Sequence, residues 1–122
     1  MEQMQDRKTI LIVEDEPMIG LMLEDFLDSL GYSVAGIADG LITACRHARL
    51  GGFDAAILDV NLAGELVWPA ADILMEKKVP FLFVTGGSSE DVPQRFMSCP
   101  RLEKPFTMST VEQALEQLFA IP

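Results

Sequence analysis

A chain of 122 residues is one domain's worth of sequence, and 49 % apolar against 23 % charged residues can fill one core. Nineteen acidic against nine basic residues leave a formal charge of −10, which argues against the Lys/Arg surface that nucleic-acid binding requires. No apolar run approaches the roughly 20 residues of a membrane span, and the opening MEQMQDRK lacks the apolar stretch of a secretory signal.

Residues 1–8 read as a flexible tail. Thr9–Val13 (TILIV) is a short β-branched run that suits a strand buried on both faces. Pro17 fits the first turn of a helix. Its apolar stripe is Met18, Ile19, Met22, Leu23, Phe26, Leu27 and Leu30, with Gly31 as its stop. Tyr32–Ile37 predicts a second strand. Asp39 is the expected cap of a helix that runs to Leu50 and ends at Gly51-Gly52. Phe53–Asp59 predicts a third strand, Val67–Lys78 a helix after a loop, and Val79–Val84 a fourth strand with Pro80 at its start. A short helix over Asp91–Met97, a strand over Arg101–Glu103 and a last helix after Thr107 or Ser109 follow. Ser109 and Glu112 are spaced as a capping box. Cys45 and Cys99 match no zinc spacing and read as reduced, mostly buried thiols. His47 reads as an exposed helix residue, and the methionines, Met18, Met22 and Met75 among them, as core filler.

Strand and helix thus alternate five times. This predicts an α/β fold: a doubly wound, five-stranded parallel sheet in a flavodoxin-like three-layer sandwich, with the fourth helix short or irregular. Ligands of such folds bind beyond the carboxyl ends of the strands. Those ends carry Glu14 and Asp15, then Asp59, then Thr85 with Gly86-Gly87, then Lys104 with Pro105. Three carboxylates in one cleft repel unless one is protonated or a cation joins them. Oxygen ligands of this kind suit Mg2+ or Mn2+. Lys104 supplies a second positive charge and Thr85 a hydroxyl donor. An aspartate can itself attack phosphorus to give an aspartyl phosphate.

ILIVEDEP, AAILDVNL, FVTGG and EKPF, in that order over Thr9–Ala120, resemble the receiver domain of bacterial two-component response regulators. The resemblance implies that Asp59 accepts a phosphoryl group from a histidine kinase or histidine phosphotransfer protein. It implies that Asp15 and Asp59 bind Mg2+ directly, that Glu14 does so through water, and that Asn61 lends its backbone carbonyl. Thr85 and Gly86 would follow the phosphate and Lys104 would neutralise it. A cis Lys104–Pro105 bond is also implied. One receiver domain over residues 1–122, with no output domain, would signal by protein contact or relay phosphate in the cytoplasm. It would not be an enzyme on a separate substrate.

The chain departs from the family pattern at several positions. Leu62-Ala63 stands where Met-Pro is usual, Arg101 replaces the switch aromatic, and Gly87 replaces another aromatic. The switch region is therefore placed at Gly87 and Arg101. An order–disorder change after Thr85 is expected in place of an aromatic rotamer swap. A homodimer through the helix 4–strand 5–helix 5 face is compatible with the resemblance. The alternative is a pseudo-receiver, a phosphorylation-independent interaction module. A phosphoesterase lacks its Asp-x-Asp after the first strand, and a flavin binder its hydroxyl-rich phosphate loop.

Overall fold

The computed structural model describes residues 7–86 and 92–120. Its strands are β1 (Thr9–Val13), β2 (Ser33–Ala38), β3 (Ala55–Asp59), β4 (Asn61–Leu62), β5 (Glu65–Leu66), β6 (Phe81–Thr85) and β7 (Arg101–Glu103). Its helices are α1 (Pro17–Ser29), α2 (Leu41–Leu50), α3 (Trp68–Glu76) and α4 (Met108–Ala120). Five strands form one parallel sheet in the order β2-β1-β3-β6-β7. The doubly wound architecture expected from the alternation is the one observed.

Every residue of β3 is buried, as a central parallel strand requires. Alternate side chains sort to two cores. Leu11, Val13, Ala56, Leu58, Phe81 and Phe83 pack with Ala44, Ala48, Ala71 and Leu74 under α2 and α3. Ile10, Ile12, Ile57, Leu82 and Val84 pack with Leu23, Leu27, Val111 and Leu115 under α1 and α4. Each fully buried Leu or Ile contributes about 1.5–3 kcal/mol over its exposed state.

Local chemistry sets the helix ends. Pro17 opens α1. At its far end, Tyr32 N–H donates to Leu27 C=O (2.8 Å) and Gly31 N–H to Asp28 C=O (3.1 Å), with Gly31 at φ +94°. That is a Schellman stop, and the positive φ requires glycine. Gly51, at φ +72°, ends α2.

Several expectations need correction. Gly40 caps α2 with no side-chain bond, so Asp39 is not its cap. The cap of α4 is Thr107. Its Oγ1 accepts from Thr110 N–H (3.2 Å), while Thr110 Oγ1 accepts from Thr107 N–H (2.9 Å). This reciprocal pair replaces the Ser109–Glu112 box. Met18 is 80 % exposed and Met22 and Met75 lie near the surface, because Gly20, Leu23 and Leu27 form the buried stripe of α1 and Ala70, Ala71 and Leu74 that of α3. His47 is half-buried over Gly36 of β2 rather than exposed. Arg7 and Lys8 are not a loose tail. The Arg7 guanidinium donates to the carbonyls of Gly31 (3.0 Å), Asp28 (3.2 Å) and Tyr32 (3.0 Å), and the Lys8 ammonium lies over the Phe119 ring. Residues 1–6 of that expectation lie outside the described residues.

The expected loop after β3 is a hairpin. β4 and β5 pair antiparallel across Ala63 (φ +53°) and Gly64 (φ +95°). Two left-handed residues in a row match a two-residue hairpin turn. Asn61 Oδ1 accepts from Gly64 N–H at 2.7 Å and braces it. After β6, the described part of the expected Asp91–Met97 helix is one 3-10 turn, Gln94–Phe96. Asp91, where that expectation begins, lies outside the described residues.

Candidate acidic site at the carboxyl edge of the sheet

β1 and β3 are neighbours, so their ends bring Glu14 and Asp15 beside Asp59. Carboxylate oxygens of the three lie within 4.8 Å of one another. Glu14 and Asp59 are buried, and Asp15 is half-buried. β7 delivers Lys104 from the other side. Its ammonium donates to Asp59 Oδ2 at 3.1 Å and stands 3.9 Å from Glu14 Oε1. The Lys104 backbone N–H donates to Thr85 C=O at 3.0 Å, which ties the end of β7 to the end of β6. The Lys104–Pro105 bond is cis, as the resemblance implied.

One ammonium faces three carboxylates, and the electrostatics follow. Burial, reinforced by the Asp59 charge, pushes the Glu14 carboxyl up from 4.5 to about 7, although Glu16 N–H donates to it and Lys104 lies near. Partial burial alone would lower Lys104. The hydrogen bond and charge of Asp59, with Glu14 and Glu16 beyond, raise it instead.

Glu14 Oε2 accepts from Glu16 N–H at 3.1 Å, and Asp59 Oδ1 from Asn61 N–H at 3.3 Å. Glu14 Oε1 is buried and accepts no hydrogen bond among the described residues. A buried, unpaired carboxylate oxygen beside two further carboxylates is a hard-oxygen donor set, and it fits a small divalent cation.

The structure assembles most of the expected residues. Glu14, Asp15, Asp59 and Lys104 meet. Asn61 follows Asp59 directly at the start of the hairpin, its side chain engaged in the turn. Thr85 ends β6, half-buried, with exposed Gly86 after it. Arg101 does not meet the group. It is exposed on the edge strand, and its guanidinium donates to Met97 Sδ at 3.2 Å. Gly87 lies outside the described residues.

The sequence places Trp68 at the start of the third helix as a partly exposed rim residue near the site, and the structure adds the aromatic cluster it joins. Trp68, at the start of α3, stands edge-on to Phe83 (5.4 Å) and stacks on Phe96 (5.8 Å). Phe96 is fully buried and also meets Phe83 and Phe81. The alternation of Phe81 and Phe83 on one face of β6 was the available signal.

The fold is that of known proteins. SdrG of Sphingomonas melonis Fr1 matches with 49 % identity and a TM-score of 0.82, over 93 % of this chain and 97 % of that one. The beryllofluoride-activated conformation of SdrG matches with 50 % identity and a TM-score of 0.77, over 90 % and 94 %. The receiver domain of the response regulator PhyR from Erythrobacter litoralis matches with 32 % identity and a TM-score of 0.77, over 94 % and 92 %. The curated PhyR of Methylorubrum extorquens is 34 % identical in an alignment that covers 88 % of this chain and 42 % of that protein. The chain therefore spans less than half of that relative. No protein-family model matches the chain. The chain belongs to the receiver domains of response regulators. No helix among the described residues is long and apolar enough to cross a membrane.

Proposed function

We propose that this receiver domain accepts a phosphoryl group on Asp59 and passes the change on by protein contact or phosphate relay. The observation that carries this reading is the position of Asp59. Its carboxylate is buried at the end of the central strand, 3.1 Å from the Lys104 ammonium and beside two further carboxylates. The solved beryllofluoride-activated SdrG, 50 % identical, supports it.

The donor is a phosphohistidine of a histidine kinase or phosphotransfer protein. An Asp59 oxygen forms the new P–O bond as the P–N bond breaks, and the electron pair leaves with the imidazole nitrogen. Lys104 neutralises charge on the transferring group, and the Thr85 hydroxyl and Gly86 N–H donate to its oxygens. Asp15, Asp59, Glu14 and the Asn61 carbonyl would hold Mg2+ or Mn2+. Such an ion, when bound, neutralises phosphoryl oxygens and offsets the repulsion among the carboxylates. The chain acts on itself and turns over no separate substrate. We assign it to the cytoplasm, with no nucleic-acid partner.

Acetyl phosphate with Mg2+ tests this directly. Intact mass should show one added phosphoryl group, absent in Asp59→Asn. No uptake by the wild-type chain would favour the pseudo-receiver reading, in which the same surface binds partners unmodified.

A further inference from the structure

We propose that Trp68 and Phe96, clamped by Asp72 and Arg95, couple the two chain segments that leave the sheet at Asp59 and at Thr85, in the role that Arg101 cannot fill. The switching part rests on the phosphoacceptor reading; the coupling itself does not.

The route is short. From Asp59 the chain runs through the β4–β5 hairpin, and Val67 N–H returns to Val60 C=O at 2.9 Å. Trp68 follows at once as the first residue of α3. Beyond Thr85, the described chain from Val92 onward forms the 3-10 turn Gln94–Phe96. Phe96 plugs that turn into the core, and its ring lies on the Trp68 ring at 5.8 Å and 28°. The two segments therefore share one aromatic contact.

A clamp sits beside it. Arg95 Nε donates to Asp72 Oδ1 at 2.8 Å and Nη2 to Oδ2 at 3.0 Å, a bidentate pair. The same guanidinium lies 4.6 Å from the centre of the Phe96 ring. Trp68 and Asp72 are four residues apart on α3 and share a face. The turn is thus bolted to α3 at two successive helical positions. Arg101, by contrast, makes its one side-chain hydrogen bond among the described residues to Met97, within the same segment. In this chain the connection from the site to the surface runs through α3 and not along β7.

Hydrogen exchange on the full chain tests the coupling first without any phosphoryl donor. Phe96→Leu should speed exchange of the Met97 and Cys99 amides about tenfold. Asp72→Asn, a surface change that leaves the core intact, should speed it about threefold. In both variants the Gly64 and Val67 amides of the hairpin should lose protection together with the turn. Unchanged hairpin protection in both overturns the coupling.

Acetyl phosphate with Mg2+ tests the switch. Wild-type chain should gain one phosphoryl group by mass, shift the emission of Trp68, its single tryptophan, and change exchange at Phe96, Met97 and Cys99. Asp72→Asn should gain the same mass with a smaller emission shift. Phosphoryl uptake with Trp68 and the turn unmoved overturns the switch role alone. Absence of uptake overturns the phosphoacceptor reading and the switch role with it, while the resting-state exchange still decides the coupling.

Discussion

The carboxyl edge of the sheet has two sides, and they are built on different terms. On one side, Glu14, Asp15, Asp59 and Lys104 converge within salt-bridge and metal-ligand distances. Each stands at the carboxyl end of a strand, and the sheet register brings them together. On the other side, between Thr85 and Arg101, the described residues hold one 3-10 turn, Gln94–Phe96. Phe96 of that turn stacks on Trp68 of α3, and the edge strand exposes Arg101 and Glu103. On the proposed reading, chemistry rests on the central strands and the readout on the segment that follows Thr85. A family can alter how it signals without touching how it reacts.

The contrast can be broken most decisively at Asp59. Asp59→Asn should reduce phosphoryl uptake from acetyl phosphate by more than about a hundredfold, read by intact mass. Substitutions on the Arg101 side should leave uptake nearly unchanged.

pH sharpens the contrast next. Between 4.5 and about 7 the folded chain keeps a proton on Glu14 that the unfolded chain has released. The folded state therefore binds more protons there, and stability falls as pH rises through about 7. With solvent screening allowed for, the loss between pH 5 and pH 8 should be about 2 kcal/mol in urea melts. Glu14→Gln should flatten that slope. Magnesium at pH 8 should restore most of the loss, because a cation favours the ionised carboxylates.

Lys104→Met leaves Asp59 and Glu14 facing each other without their ammonium. It should cost about 1–2 kcal/mol by urea melts at pH 8, and less at pH 5, where Glu14 is neutral. Gly64→Ala forces a side chain into φ +95° at the hairpin tip. It should cost about 1 kcal/mol, with a slight loss of hairpin amide protection. Arg101→Ala is the smallest perturbation, under about 0.5 kcal/mol by the same melts.

Most of the reactive side was legible in the sequence for a physical reason. A buried parallel strand reads as an unbroken apolar run, and the first polar residue after it must lie at the sheet edge. Glu14 and Asp59 announce themselves in this way, whereas Lys104 follows the polar Arg-Leu-Glu of β7 and is marked by the EKPF resemblance instead. The hairpin did not. Its two-residue strands are too short for alternation to register, and Ala63 gives no hint of a left-handed conformation. The cap of α4 was misplaced because two threonines can box each other as Ser and Glu do. Phe96 escaped notice because one 3-10 turn has no period to detect. Its partner Trp68 and the Arg95–Asp72 pair are joined by tertiary packing alone.

Arg7 has a practical consequence for handling the molecule. It closes the carboxyl terminus of α1 just ahead of β1, at the amino edge of the sheet. Five residues of strand, about 16 Å, separate that edge from the acidic pocket. A purification tag, fluorophore or surface tether joined ahead of Arg7 would enter on the far side of the domain. An immobilised chain would then keep its pocket facing the solution, provided the attachment leaves the guanidinium in place.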